Sequence, residues 1–266
     1  MKKLIILFII GFYSIIYAKV NVVVSIIPEV TLVKAIGQDK VKVIAMVKPG
    51  NSPHTYEPKP SQMIAISKAD IYFSIGVEFE KSWLKKFQNQ NQTMRVIDIS
   101  KGISKIGHNP HIWTTPTNLK MLAKNIYDGL VTIDKKNKEY YNRNYQVLLS
   151  KLEKTNNTIQ SILKNIPSKS KFLVFHPAWG YFAKQYNLVE VPIEIDGKSP
   201  KPKDIIKIIQ KAKQNNIRAI FTAPEFSKKI ANQIANELGI QVVQISPLSP
   251  NITQNIINLA KTIAHK

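Results

Sequence analysis

Eight short, mostly apolar runs set the strongest limit on how this chain can fold. They are rich in β-branched and aromatic residues, and helical stretches lie between them. Runs of this kind are typical of parallel strands whose two sheet faces are both covered by helices. The runs are residues 20–27, 41–47, 71–75, 95–99, 171–175, 189–195, 217–222 and 240–245.

The runs fall into two groups of four, separated by a stretch that contains neither Gly nor Pro, residues 134–165. This stretch predicts one long helix of about 48 Å at 1.5 Å per residue. Its apolar stripe is assigned to Val147, Leu148, Leu152, Ile159, Ile162 and Leu163.

The predicted fold class is α/β, with two lobes that each contain a mostly parallel sheet flanked by helices and are joined by one long rigid helix. The lobes are placed at 19–133 and 167–266, and the connecting helix at 134–166. One larger domain with a long helix at its edge is the alternative. A cleft between two α/β lobes is the natural ligand site, because ligands bind outside the carboxyl ends of parallel strands.

The first eighteen residues have the pattern of a secretory signal peptide, with Lys2 and Lys3 followed by an apolar run that ends before Ala18. The run is too short for an ordinary membrane-spanning helix. A retained membrane anchor is the alternative. Because the chain has no Cys, a lipid anchor on an N-terminal Cys is excluded, and the mature protein is predicted to be free in the periplasm.

The absence of Cys also excludes disulfides and thiolate metal ligands, so a transition-metal site would use His, Asp, Glu or water. The formal net charge of +21 could indicate a nucleic-acid or anionic-membrane partner. However, the lysines are scattered and are not interleaved with aromatic residues. A solvated basic surface is therefore favoured, and no nucleic-acid partner is predicted.

Three of the five histidines adjoin a proline, in Pro53-His54, Pro110-His111 and His176-Pro177. All three map to loops at the ends of predicted strands or helices, where binding residues concentrate. Proline restricts the backbone on either side, which suits a metal site whose ligands must be held closely in place. Taken one at a time, each would more often be an ordinary surface or core histidine, and their spacing matches no short zinc motif.

Three segments in the same order resemble the metal-binding proteins of ABC importers for zinc and manganese, and specifically the zinc branch of that family. The segments are PGNSPHTYEPKPS at 49–61, NPHIW at 109–113 and HPAWGYF at 176–182. The likeness covers essentially the whole mature chain. It implies two α/β lobes joined by a rigid helix, with zinc(II) captured in the cleft and delivered to the membrane permease of an ABC importer.

The resemblance assigns His54, His111 and His176 as metal ligands, and a histidine at the third position is typical of zinc-type members, whereas manganese-type members tend to have Glu. The family's fourth ligand, an Asp before Pro-Leu, is replaced by Ser246, and its usual Asp at the start of the second motif is Asn109. The fourth position is left to water or to a carboxylate from elsewhere, for which Glu225 is the candidate and Glu57 a weaker one. The family's His-rich loop is absent.

Transport rather than catalysis is predicted, and a monomer is expected. The rival hypotheses are a zinc hydrolase with Glu225 as base, a manganese or iron carrier, and a surface adhesin. An open fourth position beside three histidines would also suit catalytic zinc, but no separate substrate-binding constellation is present in the sequence.

Overall fold

The computed structural model describes residues 19–195, 198–215, 217, 219–226 and 228–264. The predicted signal peptide, residues 1–18, lies outside the described residues, as does His265. Within the described part of the chain, no helix combines the length and the apolar character needed to cross a membrane.

The described residues form two four-stranded sheets, both entirely parallel, which confirms the predicted fold class. The first sheet has the order β2-β1-β3-β4 and the second has the order β6-β5-β7-β8, so the two lobes share one topology. The strands are β1 (Val20–Val24), β2 (Val41–Ala45), β3 (Ile71–Ser74), β4 (Arg95–Asp98), β5 (Lys171–Val174), β6 (Val189–Pro192), β7 (Ala219–Thr222) and β8 (Gln241–Gln244).

Seven of the eight strands end one to three residues before the predicted boundary, because the last residues of those runs begin the following loop or helix, and β7 ends at its predicted boundary. Helices cover both sheets. They are α1 (Ile27–Gly37), α2 (Pro60–Ser67), α3 (Glu78–Gln90), α4 (Pro116–Ile133), α5 (Lys138–Leu163), α6 (Gly180–Gln185), α7 (Pro202–Gln214), α8 (Lys229–Leu238) and α9 (Ile252–Ala264).

The long connecting helix is α5, which has 26 residues and begins four residues later than predicted. Helix α4 ends just before Asp134, whose backbone angles, φ −135° and ψ 63°, are not helical. Its carboxylate accepts hydrogen bonds from the Tyr141 hydroxyl at 2.6 Å and from the Asn137 amide at 2.7 Å. The predicted apolar stripe is correct except at Val147, which is 71% exposed. Val147 lies about 100° around the helix from Leu148, outside the stripe.

Helix α5 packs against α1 and α4 of the first lobe and against α9 of the second. One continuous cluster of buried apolar side chains therefore runs from the first sheet through α5 to the inner face of the second sheet. A smaller cluster fills the outer face of the second sheet, beneath α7 and α8. The lobe boundaries themselves stay a prediction.

Candidate metal site

The three histidines singled out in the sequence lie together between the two sheets. His54 is in the loop after β2, His176 follows β5, and His111 precedes the short 3-10 helix Ile112–Thr114 that leads into α4. The ring centroids of the three imidazoles are 5.0 to 5.5 Å apart. Each ring offers a nitrogen, and these three nitrogens lie within 4.8 Å of one another.

The separation of two of these nitrogens matches the edge of a zinc coordination sphere. The Nε2 atoms of His54 and His176 are 3.2 Å apart. Two nitrogens bound to one tetrahedral zinc at 2.0–2.1 Å would lie about 3.3 Å from each other. The two rings are therefore already close to the spacing that a shared ion requires.

The Nδ1 atom of each histidine lies within hydrogen-bonding distance of an oxygen acceptor. The Nδ1 of His54 lies 3.0 Å from Glu78 Oε2, and the Nδ1 of His176 lies 2.5 Å from Glu194 Oε2. These oxygens cannot donate when the carboxyls are ionised, so each Nδ1 carries a proton, and each Nε2 can present its lone pair to a bound ion. An acceptor behind the ring is the usual arrangement for a metal-binding histidine.

His111 obtains the same tautomer from an amide. Asn109 Oδ1 accepts both the backbone N–H and the Nδ1–H of His111, each at 2.9 Å. The His111 side chain is buried beside Trp113. Burial lowers the pKa of His111 well below its ordinary value, and repulsion from the nearby His176 and His54 rings adds to this. His111 is therefore held neutral, the form that binds a metal ion.

The position of Glu78 depends on a buried carboxyl two residues further along α3. Glu80 accepts hydrogen bonds from the backbone N–H groups of Ile75 and Gly76, at 2.9 and 2.8 Å, and a further one from the Ser25 hydroxyl. Gly76 has φ +94°, a conformation that favours glycine. Burial raises the pKa of Glu80. This network fixes the turn from which α3, and with it Glu78, begins.

His176 is also held by an aromatic contact. Its ring stacks on Phe226, with centroids 4.6 Å apart and an interplanar angle of 20°. Phe226 follows β7, so three neighbouring segments of the second lobe contribute to the position of one histidine.

Contacts across the lobes support the site from behind. The Trp113 indole N–H donates to the Pro247 carbonyl at 2.8 Å, and the Tyr181 hydroxyl donates to the Asn109 carbonyl at 3.1 Å. These bonds tie the segment that carries His111 to the second lobe.

The space between the histidines is small. The cavity is bordered by the three histidines and by Ser52, Pro53, Glu225, Phe226, Pro247 and Leu248. Its volume is about 10 Å³, which is room for one ion or one water molecule. An organic substrate does not fit there in this conformation.

The structure places Glu225 at the edge of this cavity, but outside the group of three nitrogens. Its carboxylate accepts a hydrogen bond from the Ser246 hydroxyl, at 3.2 Å to Oε1 and 3.4 Å to Oε2. Ser246 Oγ also accepts the Leu248 backbone N–H at 3.0 Å. Glu57 is exposed and does not border the cavity.

The residues that sequence reasoning missed are the oxygen partners Glu78 and Glu194. No spacing rule links either glutamate to its histidine, because the pairs are 24 and 18 residues apart. Their positions at the start of α3 and just after β6 are the signal that could have indicated them, since both lie at the carboxyl ends of parallel strands.

Comparisons with known proteins agree with this geometry. A solved structure of ZnuA superposes with a TM-score of 0.89 at 38% sequence identity, covering 93% of this chain and 98% of that one. The high-affinity zinc uptake system protein ZnuA of Bacillus subtilis is 28% identical over 86% of this chain and 79% of its own length. The iron-binding protein YfeA of Yersinia pestis is 28% identical over 82% and 75%. Residues 22–265 match the family described as the periplasmic component A of the zinc-uptake complex, ZnuA, and the chain belongs to that family.

Proposed function

We propose that this protein captures zinc(II) between its two lobes and delivers it to an ABC importer in the membrane. The observation that carries the proposal is the convergence of three imidazole nitrogens whose opposite ring nitrogens all face oxygen acceptors. Such a site is prepared for a cation before the cation arrives. Membership of the zinc-uptake family supports transport as the purpose of that binding.

His54, His111 and His176 are the proposed ligands, each through Nε2. Three imidazoles are borderline donors that favour zinc over manganese, which prefers carboxylate and carbonyl oxygens. The small cavity supports an ion as the cargo and gives no support to hydrolysis of an organic substrate.

Glu225 is the proposed fourth partner, as a direct ligand or through one water molecule bound to the metal. Its carboxylate would supply the negative charge that Ser246 cannot, and the Ser246 hydroxyl would hold it at the edge of the cavity. Direct binding would require the Glu225 side chain to turn towards the histidines, because its carboxylate lies outside the group of three nitrogens.

The mature protein is proposed to work in the periplasm after removal of residues 1–18, as a monomer. Its partners would be the permease and the ATPase of the importer. Release of the ion at the membrane requires that at least one ligand can leave, and the more exposed His54 is suited to leave first.

The deciding experiment is a calorimetric zinc titration of the metal-stripped mature protein, alongside His54→Ala, His111→Ala and His176→Ala. We expect one tight site per chain, with affinity reduced at least about a hundredfold in each variant, because each loses one of few ligands. His108→Ala is the matched control and should bind as the wild type does. Unchanged binding in any one of the three variants would exclude that histidine as a ligand.

A second titration tests the fourth partner. Glu225→Gln should weaken zinc binding about tenfold, because a neutral amide is a poorer partner for the cation or its bound water. Glu57→Gln makes the same chemical change at an exposed glutamate and should have no effect. Equal affinities for the two variants would rule out Glu225.

A further inference from the structure

The outward face of helix α7 carries lysines and no acidic residue. Four of its exposed positions are Lys203, Lys207, Lys211 and Lys213. At 100° per residue they fall within an arc of about 160°, which they share with Ile206, Gln210 and Gln214. The acidic residue of this helix, Asp204, lies outside the arc, is partly buried, and accepts the backbone N–H of Lys201 at 3.1 Å.

These lysines differ from the two on helix α4, both of which are paired. On α4, Lys120 pairs with Glu153 and Lys124 pairs with Asp128. Within the described part of the chain, the four α7 lysines take part in no ion pair. The preceding segment adds Lys198 and Lys201, both exposed. The result is a positive surface whose lysines form no ion pair with any other residue that the structure describes.

Exposed apolar side chains stand within and beside the same surface. Ile206 is 57% exposed in the middle of the lysine face, and Ile195, shortly before the helix, is 44% exposed. The buried face of α7, by contrast, includes Ile208 and Ala212 and packs on the outer face of the second sheet. Single exposed isoleucines are common on protein surfaces, and what sets Ile206 apart is its place among four lysines on one helix face.

We infer that the α7 face, defined as Lys203, Ile206, Lys207, Lys211 and Lys213, docks the protein onto an anionic lipid bilayer. Unpaired lysines are attracted to anionic headgroups, and isoleucines can enter the boundary between headgroups and acyl chains. An acidic protein surface would satisfy the lysines but gives no particular role to Ile206. The inference does not depend on which metal the three histidines hold.

The position of the α7 face relative to the histidine site explains how docking could help delivery of the ion. The chain leaves β6 at Pro192, passes Glu194 beside His176, and begins α7 at Pro202. The first turn of α7 therefore lies at the same edge of the second sheet as the histidine site. A protein held by this face would keep its metal site near the membrane surface, where an importer is found.

The first test is flotation of the mature protein with vesicles of phosphatidylglycerol and phosphatidylethanolamine, and with vesicles of phosphatidylcholine. We expect binding to the anionic vesicles alone, reversed by 0.5 M sodium chloride, about the concentration at which surface charges are screened within a few ångströms. Lys203→Glu/Lys207→Glu/Lys211→Glu should reduce the bound fraction at least about tenfold. The control Lys42→Glu/Lys68→Glu/Lys101→Glu makes the same charge change at exposed lysines of the first lobe and should reduce it much less.

The second test does not alter the lysines. The chain has no Cys, so Ile206→Cys and Val147→Cys each accept a single environment-sensitive fluorophore. Emission from position 206 should shift to shorter wavelength on anionic vesicles, whereas emission from the exposed position 147 on α5 should not. The shift should be the same with and without zinc.

Three results would overturn the inference. Equal losses in the two triple variants would mean that total charge, and not this face, causes the binding. An absent shift at position 206, or the same shift at position 147, would mean that the face does not meet the bilayer. Reduced zinc uptake by cells carrying the α7 triple variant, without vesicle binding by the wild type, would assign the face to an acidic protein partner.

Discussion

In the first lobe, His54 and its partner Glu78 are partly open to solvent, with side chains that are 28% and 44% exposed. In the second lobe, His176 and Glu194 are nearly buried, at 14% and 9%. His176 has a stacked ring as a second support. One side of the site is therefore loosely held and accessible, while the other is fixed.

This difference suggests how an ion could enter and leave a site that binds tightly. An exposed ion pair contributes little, because water screens it and its side chains lose conformational freedom. A short hydrogen bond in a buried setting holds a ring much more firmly. We expect His176 and His111 to form a preformed pair of ligands, and His54 to complete or open the site.

The packing between the two lobes limits how the site can open. Because one apolar cluster runs through α5 into both lobes, a large rotation between them would break buried contacts. Movement is easier in the loop that carries His54 than in the body of either lobe. We therefore expect the lobes to close only slightly on binding, which small-angle scattering of the metal-free and zinc-loaded protein would measure.

Among changes that leave the three histidines in place, the largest difference in zinc affinity is expected between neutralising Glu194 and neutralising Glu78. Glu194→Gln should weaken zinc binding about tenfold or more, because loss of such an outer partner typically costs 10- to 100-fold. Glu78→Gln should weaken it less than about threefold, since that pair is exposed. Competition titrations with a chelator would measure both variants, and equal losses would contradict the proposed difference between the two sides.

Lowering the pH is expected to have an intermediate effect, on the free energy of unfolding of the metal-free protein. The folded, metal-free protein keeps His111 neutral, whereas the unfolded chain binds a proton there near pH 6.5. The unfolded state thus holds more protons below that pH, so the free energy of unfolding should fall as the pH falls. From pH 6.5 to 5.5 this amounts to about 1 kcal/mol for one such group.

Urea unfolding of the metal-free protein at both pH values, beside His111→Gln, isolates this group. The comparison is needed because burial also raises the pKa of Glu29 well above its ordinary value and that of Glu190 to about 7. Those carboxyls act in the opposite direction, since their folded forms keep protons that the unfolded chain releases. A pH dependence that is the same in the wild type and in His111→Gln would contradict the assignment.

The strands, the long helix and the three histidines could be predicted from sequence because each leaves a local signal. Apolar runs mark the strands, the lack of Gly and Pro marks α5, and the prolines mark the histidines. Glu78, Glu194 and the role of Asn109 in setting the His111 tautomer could not be predicted, because they depend on the spatial meeting of distant segments. Val147 is a different case, because its angle of about 100° from Leu148 already places it outside the apolar stripe, and its inclusion in the predicted stripe was wrong.

The smallest expected effect tests whether the second lobe also positions His111. A Cβ atom on Gly180 would lie 2.9 Å from Asn109 Nδ2 and 3.4 Å from Glu190 Oε2. Gly180→Ala should displace the Asn109 amide, loosen its bond to His111 and weaken zinc binding by a factor of about three. Stability should hardly change, because the end of one side chain can move.

Gly129→Ala is the matched control in the first lobe. There a Cβ would lie 2.5 Å from Cε1 of the buried Phe73 ring, and overpacking of this kind typically costs about 1–3 kcal/mol of stability. Because Gly129 lies about 20 Å along α4 from the start of the helix, at 1.5 Å per residue, and packs in the core, zinc affinity should be unchanged. If Gly180→Ala instead lowers stability and leaves affinity intact, His111 is positioned by its own lobe alone, and the contribution of the second lobe to the site reduces to His176 and its neighbours.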